Sequence, residues 1–278
     1  MKKRESKYVK VARIAYRLSQ RVVARYSHIK SPHRFTQHQL LACVLLMFYV
    51  RKSYRDMEEW LLASAIICTE LELKEIPDHS TLNRAYKRFR VKLLNDLQRA
   101  LLDELGPCEE GIAFDTTGYC PTQASMHYLA RCNRKYDHFY KGGYAVGINS
   151  QLILAAVSGM GPGSDMGFLE PLRCKSRRYG KRRSWVVLAD KGFDGRTVRS
   201  GDLIPPIRRG GVMKLPRLIA RMETVSAARL DGFFGQRWKV ETVNSVIKRK
   251  FGDEIRSRKA SRRYLEPIVK GLIYNIHV

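Results

Sequence analysis

Three carboxylates in the second half of the chain have surroundings that could support metal chemistry. Asp115 and Asp190 each end an apolar run that predicts a strand, and Glu241 lies in a stretch that predicts a helix. If the two strands lie side by side in one sheet, the aspartates meet, and a following helix can bring Glu241 across from them. Three converging acids repel one another unless cations lie between them, as in the two-metal sites that catalyse phosphodiester chemistry.

The helix around Glu241 is predicted from Leu230 to Gly252 and has two faces. An apolar stripe suits a core, and a polar face lies beside it. The stripe contains Val240, Val243, Ile247 and Phe251, and the polar face contains Phe234, Arg237, Glu241, Asn244, Ser245 and Lys248. Taken alone, the polar face indicates a surface helix with an Arg237–Glu241 pair worth about 0.2–0.5 kcal/mol. Each aspartate taken alone is likewise explained by turn hydrogen bonds, so only the combination favours a metal site.

The charge of the chain indicates a polyanionic partner. The 278 residues contain 52 Lys and Arg against 26 Asp and Glu, a net charge of +26. Nucleic acid is the first candidate and an anionic membrane surface the second. The longest apolar run, Leu40 to Val50, is too short to span a bilayer and predicts a buried helix, and no signal peptide is visible. The six cysteines contain no C-x-x-C pair, which argues against a zinc ribbon and favours a reducing, cytoplasmic location.

Much of this positive charge lies near the start of the chain. The first 55 residues contain 14 Lys and Arg and one acid. In a helix predicted over residues 7–27, every fourth residue is arginine: Arg13, Arg17, Arg21 and Arg25. A solvated helix face normally mixes both signs, so this pattern favours contact with phosphates. Farther on, a second basic helix would expose Arg84, Lys87 and Arg88, as part of a helix-turn-helix or of an ordinary helical bundle.

Gly106-Pro107 separates helix-like segments of the sequence from strand-like ones, which predicts a domain boundary there. We expect a helical domain for DNA binding and assembly over 1–107 and a second domain over 108–278. In the second, the predicted order is β-β-β-α-β-α-β-α, with a short strand over 203–207 as the last strand. The predicted fold class is α+β or α/β, in which a helical region precedes a mixed sheet flanked by helices.

These segments resemble the DDE transposases of insertion sequences. The run Phe234-x2-Arg237-x3-Glu241-x6-Lys248 is similar to the family signature Tyr-x2-Arg-x3-Glu-x6-Lys, with Phe in place of the usual Tyr. AFDTTGY around Asp115 and LADKGFDG around Asp190 resemble the segments of the first and second family aspartates. YRDMEEWL, PDHSTLNRAYKRF and LIYNIHV resemble the helical regions at the two ends of these proteins.

The resemblance implies an RNase H-like catalytic domain and a set of residue roles. Asp115, Asp190 and Glu241 would hold two Mg²⁺ ions, for which Mn²⁺ would substitute. Lys248 would contact a terminal phosphate, and Arg237 would support Glu241 or touch the DNA backbone. The implied protein is a nucleoid-associated prokaryotic transposase that binds the terminal inverted repeats of its element, works as a homodimer on double-stranded DNA, cuts 3′ ends and joins them to target DNA. The alternatives are a nuclease of this fold without strand transfer and a catalytically inactive DNA-binding descendant.

Overall fold

The structure, a computed structural model, describes residues 5–30, 32–121, 139–182, 185–207 and 215–278. Their contacts divide the chain into two units. The first contains the residues as far as Leu105 together with Lys250–Gly252 and Val269–Val278. The second contains Gly106–Arg249 and Asp253–Ile268.

The first unit is helical. Its helices in the N-terminal part are α1 (Lys7–Val22), α2 (Gln37–Tyr49), α3 (Tyr54–Leu62), α4 (Ala65–Glu70), α5 (His79–Lys87) and α6 (Val91–Leu105). Helix α2 is apolar on all sides and forms the centre of the unit, with every residue from Leu40 to Met47 buried. The buried helix predicted from the Leu40–Val50 run is therefore confirmed. Thr36 begins α2 with a capping box, in which Gln39 bonds back to the backbone of Thr36.

Helix α1 is amphipathic and shorter than predicted. Val11, Ala15 and Leu18 form its buried stripe. The helix ends at Val22, because Val23 adopts extended backbone. The predicted extent to residue 27 is wrong, and Arg25 lies outside the helix.

The second unit is built on a mixed sheet. Its strands are β1 (Gly111–Pro121), β2 (Tyr140–Gly147), β3 (Ile153–Met160), β4 (Val186–Leu188) and β5 (Glu254–Ile255). The strand order is β3-β2-β1-β4, and β5 pairs with the far end of β1. Strands β1, β2 and β3 are antiparallel neighbours, whereas β4 runs parallel to β1. The first and fourth strands therefore lie side by side, as predicted.

Helices flank this sheet or follow it in the chain. They are α7 (Met166–Ser176), α8 (Pro216–Leu230), α9 (Trp238–Phe251), α10 (Ala260–Arg263) and α11 (Leu265–His277). Helix α7 packs closely on β2 and β3, because Phe168 fills the space where side chains at Gly143 and Gly159 would stand. The predicted fold class, a helical region followed by an RNase H-like mixed sheet with flanking helices, is confirmed.

Three predicted elements differ in detail. Residues 203–207 form no strand; Leu203 makes a single bridge to Leu188, and the fifth strand is Glu254–Ile255. A short 3-10 turn, Lys191–Phe193, follows Asp190 instead of a helix. The helix around Glu241 begins only at Trp238, because Gly232 takes a positive φ of 78° and a 3-10 turn, Phe234–Arg237, precedes it.

Two observations concern the expectations about membrane spans and cysteines. None of the helices in the described residues has the length and hydropathy needed to span a bilayer. Five cysteines are free thiols, Cys43, Cys68, Cys108, Cys120 and Cys174, and Cys132 lies outside the described residues.

Candidate functional site

Strands β1 and β4 bring the two aspartates to one place on the sheet. The last register pair between these strands is Ala113 with Leu188, and each aspartate follows its strand's paired residue by two positions. Asp190 comes just after β4, but Asp115 lies inside β1, where it pairs with Tyr144 of β2. The expectation that Asp115 ends its strand is therefore wrong. Asp115 lies beyond the point where the shorter neighbouring strand, β4, ends. The space beyond the end of β4 leaves room for a ligand beside β1, a rigid central strand.

Asp115 is a largely buried carboxylate. Burial raises its pKa, and so does the charge of Asp190, whereas hydrogen bonds from Thr116 and Asn244 and the charge of Arg237 lower it; the net result is a pKa of about 6. Its Oδ2 accepts a 2.8 Å hydrogen bond from the Asn244 side-chain amide. The register of β1 and β4 and the effect of the Asp190 charge on the pKa of Asp115 both indicate that the two carboxylates are neighbours.

Asp190 is held by the backbone that follows it. It caps the 3-10 turn, and its Oδ1 accepts a 2.9 Å hydrogen bond from the Gly192 backbone N–H. A Cβ on Gly192 would lie 3.0 Å from Asp190 Oδ1 and 3.1 Å from Asp165 Oδ2. A side chain at this position would therefore crowd two carboxylates, which glycine avoids.

Asp165 is a further acid of this region that the sequence did not reveal. Its Oδ1 accepts hydrogen bonds from Thr116 Oγ1 at 2.7 Å and from Lys141 Nζ at 2.8 Å. The Lys141 side chain is only 14% exposed, so it balances the charge of Asp165 rather than facing solvent. These contacts join residues 49 and 24 positions apart in the chain, and no local pattern signals them.

Glu241 and Arg237 occupy the first turns of α9 and the 3-10 turn before it. Arg237 Nη2 lies 2.5 Å from Glu241 Oε1, and the Glu241 side chain is 52% exposed. The pair is the i, i+4 contact that the sequence predicts. The charge of Arg237 also lowers the pKa of Asp115, so the guanidinium acts on Asp115 as well as on Glu241.

Farther along α9, Asn244 and Lys248 follow Glu241 at helical spacing. Asn244 is buried and bonds Asp115, which fixes this face of the helix toward β1. Lys248 is partly exposed, and its side chain forms no ion pair with an acid of the described residues. Asn244 was visible on the predicted face of the helix, but its bond to Asp115 was not.

The contacts of the site determine how well it suits a cation. No group of three or more acidic, histidine or cysteine side chains in the described residues is arranged as a complete metal site. Glu241 pairs with Arg237, and the acids that come together are Asp115 and Asp190. The donors nevertheless fit a hard cation, because they are oxygens and include a buried carboxylate. The Asn244 Oδ1 is buried without a hydrogen-bond donor in the described part of the chain, and a hydrated cation could provide one.

Comparison with known protein families agrees with this geometry. The model of the transposase DDE domain matches residues 106–276, more than half of the chain. The chain belongs to the DDE transposase family. No curated protein and no solved structure gives a significant match. The matched range of the transposase includes Asp115, Asp190 and Glu241, and the family relationship indicates DNA processing with divalent metal ions.

In this transposase, Phe234 stands at the usual Tyr position of the signature. The guanidinium of Arg229 lies 5.1 Å from the centre of its ring. The aromatic face is thus used for a cation–π contact, which needs no hydroxyl. The neighbouring Asp194 contacts Arg221 and accepts a hydrogen bond from the Ile207 backbone N–H, so it anchors a loop.

The arginines of α1 in the transposase's helical unit are matched by acids. Arg13 lies 2.7 Å from Glu5 and 2.9 Å from Glu70. Arg17 and Arg21 share Glu104, at 2.5 Å and 3.0 Å. The expected one-signed face of α1 is therefore wrong, because acids from α4 and α6 that are distant in sequence pair with its arginines, whose side chains stay about half exposed. Arg25 lies beyond the helix with its guanidinium 5.5 Å from the centre of the Tyr26 ring.

The basic residues of α5 present a different surface. Arg84, Lys87 and Arg88 are all exposed, and none forms an ion pair with an acid of the described residues. Arg55, Arg84 and Lys87 line a surface groove of about 430 Å³ between the start of α3 and α5. Of the two basic surfaces named from the sequence, this one keeps its charge available to phosphates.

Proposed function

We propose that this DDE transposase binds the terminal inverted repeats of its own element, cleaves the 3′ ends and joins them to target DNA. The observation that carries the proposal is the meeting of Asp115 and Asp190 across β1 and β4 in a chain of this family. A largely buried carboxylate with a second carboxylate beside it is costly unless the two bind a cation, and phosphodiester chemistry requires such a cation.

Asp115, Asp190 and Glu241 are the proposed ligands of two Mg²⁺ ions, with Mn²⁺ as a substitute. When bound, the cations would activate the attacking water or 3′-hydroxyl and stabilise the leaving 3′-oxygen. Glu241 has to release Arg237 to join the aspartates, and its 52% exposed side chain leaves it room to do so. Arg237, once released, is placed to contact a DNA phosphate.

Lys248 is the proposed contact to the terminal phosphate of the element's end. It lies seven residues after Glu241 on the same helix and keeps its charge unpaired within the described residues. In the helical unit, Arg84, Lys87 and Arg88 are proposed to hold the DNA backbone. Arg13, Arg17, Arg21 and Arg25 remain proposed contacts, of which the first three would exchange their acidic partners for phosphates. We further propose that the protein acts as a homodimer on DNA.

The test is a cleavage and strand-transfer assay with the full chain on DNA that carries the element's ends, with Mg²⁺ or Mn²⁺. Glu241→Gln should abolish cleavage and joining, while Glu223→Gln, the same change at an exposed glutamate of α8, should leave both intact. A folded Glu241→Gln protein that cleaves at the parent rate would contradict the proposed site. Cleavage by the parent without joined products would instead identify a nuclease.

A further inference from the structure

Asn244 combines two features that its helical position alone does not require. It is 6% exposed, and its Nδ2 donates a 2.8 Å hydrogen bond to Asp115 Oδ2. Its Oδ1, on the same amide carbon, has no hydrogen-bond partner in the described part of the chain. A buried amide oxygen without a donor is costly, so a group that supplies one would stabilise the site.

The neighbours of Asn244 limit what that group can be. Asp115, which Asn244 bonds, and Asp190, whose charge acts on Asp115, are acids, and ionised carboxylates only accept hydrogen bonds. Water bound to a divalent cation is the donor that suits this place, because the cation is attracted by the carboxylates and Mg²⁺ keeps several of its waters. The amide oxygen belongs to the same amide group as the nitrogen that bonds Asp115, a proposed ligand of the cation.

The helix holds this amide in place. Val243 and Ile247 on either side of Asn244 are fully buried, so the backbone of α9 cannot shift without loss of packing. Glu241 precedes Asn244 by three residues and Lys248 follows by four, which puts all three on one face. The amide is therefore the fixed centre of a face whose other two members are a proposed metal ligand and a proposed phosphate contact.

We propose that Asn244 is a positioning residue that orients Asp115 through its amide nitrogen and accepts a hydrogen bond from a water of the bound divalent cation through its amide oxygen. The inference rests on the proposed function and deepens it at the same site. Groups that hold metal ligands in place typically contribute 10–100-fold to metal affinity. A purely structural Asn244 would instead affect stability equally with and without metal.

The test measures Mg²⁺ and Mn²⁺ binding to the full chain by calorimetry and by the metal-dependent rise in melting temperature. Asn244→Ala should weaken Mg²⁺ affinity 10–100-fold. Asn275→Ala is the matched control, because Asn275 is also buried, at 3% exposure, but belongs to the other unit. The control should keep the parent's metal affinity whatever it does to the melting temperature. High Mg²⁺ concentrations should restore cleavage by Asn244→Ala, which they would not do for a misfolded site.

Asn244→Asp separates the two roles of the amide. It keeps an acceptor oxygen but loses the donor to Asp115, so its metal-free form should melt below the parent while its Mg²⁺ affinity stays within about threefold of the parent or exceeds it. This variant alone decides the matter if Asn244→Ala does not fold. A loss of Mg²⁺ affinity of tenfold or more in Asn244→Asp would overturn the role of the oxygen.

The outcomes also separate this inference from the function on which it rests. A parent that binds metal and cleaves DNA, together with an Asn244→Ala protein of equal metal affinity, would overturn the role of Asn244 and leave the proposed function standing. A parent that neither binds Mg²⁺ nor Mn²⁺ nor cleaves DNA would overturn both.

Discussion

Replacing Asp115 by Asn should stabilise the metal-free protein while it removes the proposed activity. Asparagine keeps the shape of the side chain and an oxygen that can accept the bond from Asn244, but it carries no charge to bury. Burial raises the pKa of Asp115 from 3.8 to about 6, so at neutral pH the folded protein holds an unfavourable carboxylate. The substitution takes that unfavourable charge away.

The magnitude follows from the difference in pKa between the folded and unfolded chain. About two pKa units correspond to about 3 kcal/mol, an upper value for a group that is not completely buried. Because the folded pKa is the higher one, the favourable contribution of the protonated group is fully present below about pH 4 and is lost as the pH rises to about 6. The advantage of Asp115→Asn should therefore be near zero at pH 4, grow over this window and stay constant above it.

Thermal melts in EDTA between pH 4 and pH 8 measure this difference. An increase of about 3 kcal/mol corresponds to roughly 6–12 °C in a chain of this size. In Mg²⁺ at about 100 times its dissociation constant, the parent should gain about 2.7 kcal/mol and the variant much less. Asp253→Asn, at an exposed aspartate of the same unit, is the control and should follow the parent at every pH.

Two results would refute this reasoning. An Asp115→Asn protein that melts at or below the parent at pH 7.5 in EDTA would show that the buried charge costs nothing. A gain of the same size at pH 4 and at pH 7.5 would show that the gain does not arise from ionisation.

Three further predictions concern basic side chains. Lys248→Ala should reduce cleavage far more than DNA binding, because other basic side chains hold the DNA. The control is Lys92→Ala, at an exposed lysine that pairs with Asp96. Equal cleavage by Lys248→Ala and the parent would contradict the proposed phosphate contact of Lys248. Neutralising Arg84, Lys87 and Arg88 should flatten the slope of log affinity for the ends against log salt concentration by up to about three units. Neutralising the paired Arg17 and Arg21 should change this slope less. The reverse order in binding titrations would exclude the α5 surface. Lys141→Met should lower the free energy of unfolding by about 2–3 kcal/mol in urea unfolding, since Asp165 would lose its counter-charge. Adding Asp165→Leu should recover part of this loss. A double variant no more stable than Lys141→Met would show that the Lys141–Asp165 pair does not cause the loss.

The sequence predicted those parts of the fold that depend on local pattern. Apolar runs located most of the longer helices and four of the five strands, and the helix around Glu241 showed its buried stripe at the right spacing. It did not predict β5, which has only two residues and exists because β1 extends far enough to pair with it. Nor did it predict that Val269–Val278 group with the N-terminal helices, since such contacts join residues more than 200 positions apart, as Tyr49 and His277 do.

Within the candidate site, the residue types and their spacing in the chain named Asp115, Asp190 and Glu241, because acids next to apolar runs are recognisable without coordinates. The tertiary structure decided which groups surround them. Asn244 meets Asp115 across 129 positions, Lys141 neutralises Asp165, and Glu104 pairs with two arginines that looked unpaired in α1. Hydrogen bonds and ion pairs between distant segments depend on how strands and helices pack. The periodic pattern of one element shows which of its faces is buried, but not which polar groups of other elements that face meets. The sequence thus determined which side chains could do the chemistry, and only the tertiary structure decided which of them are buried, paired or left with an unsatisfied atom.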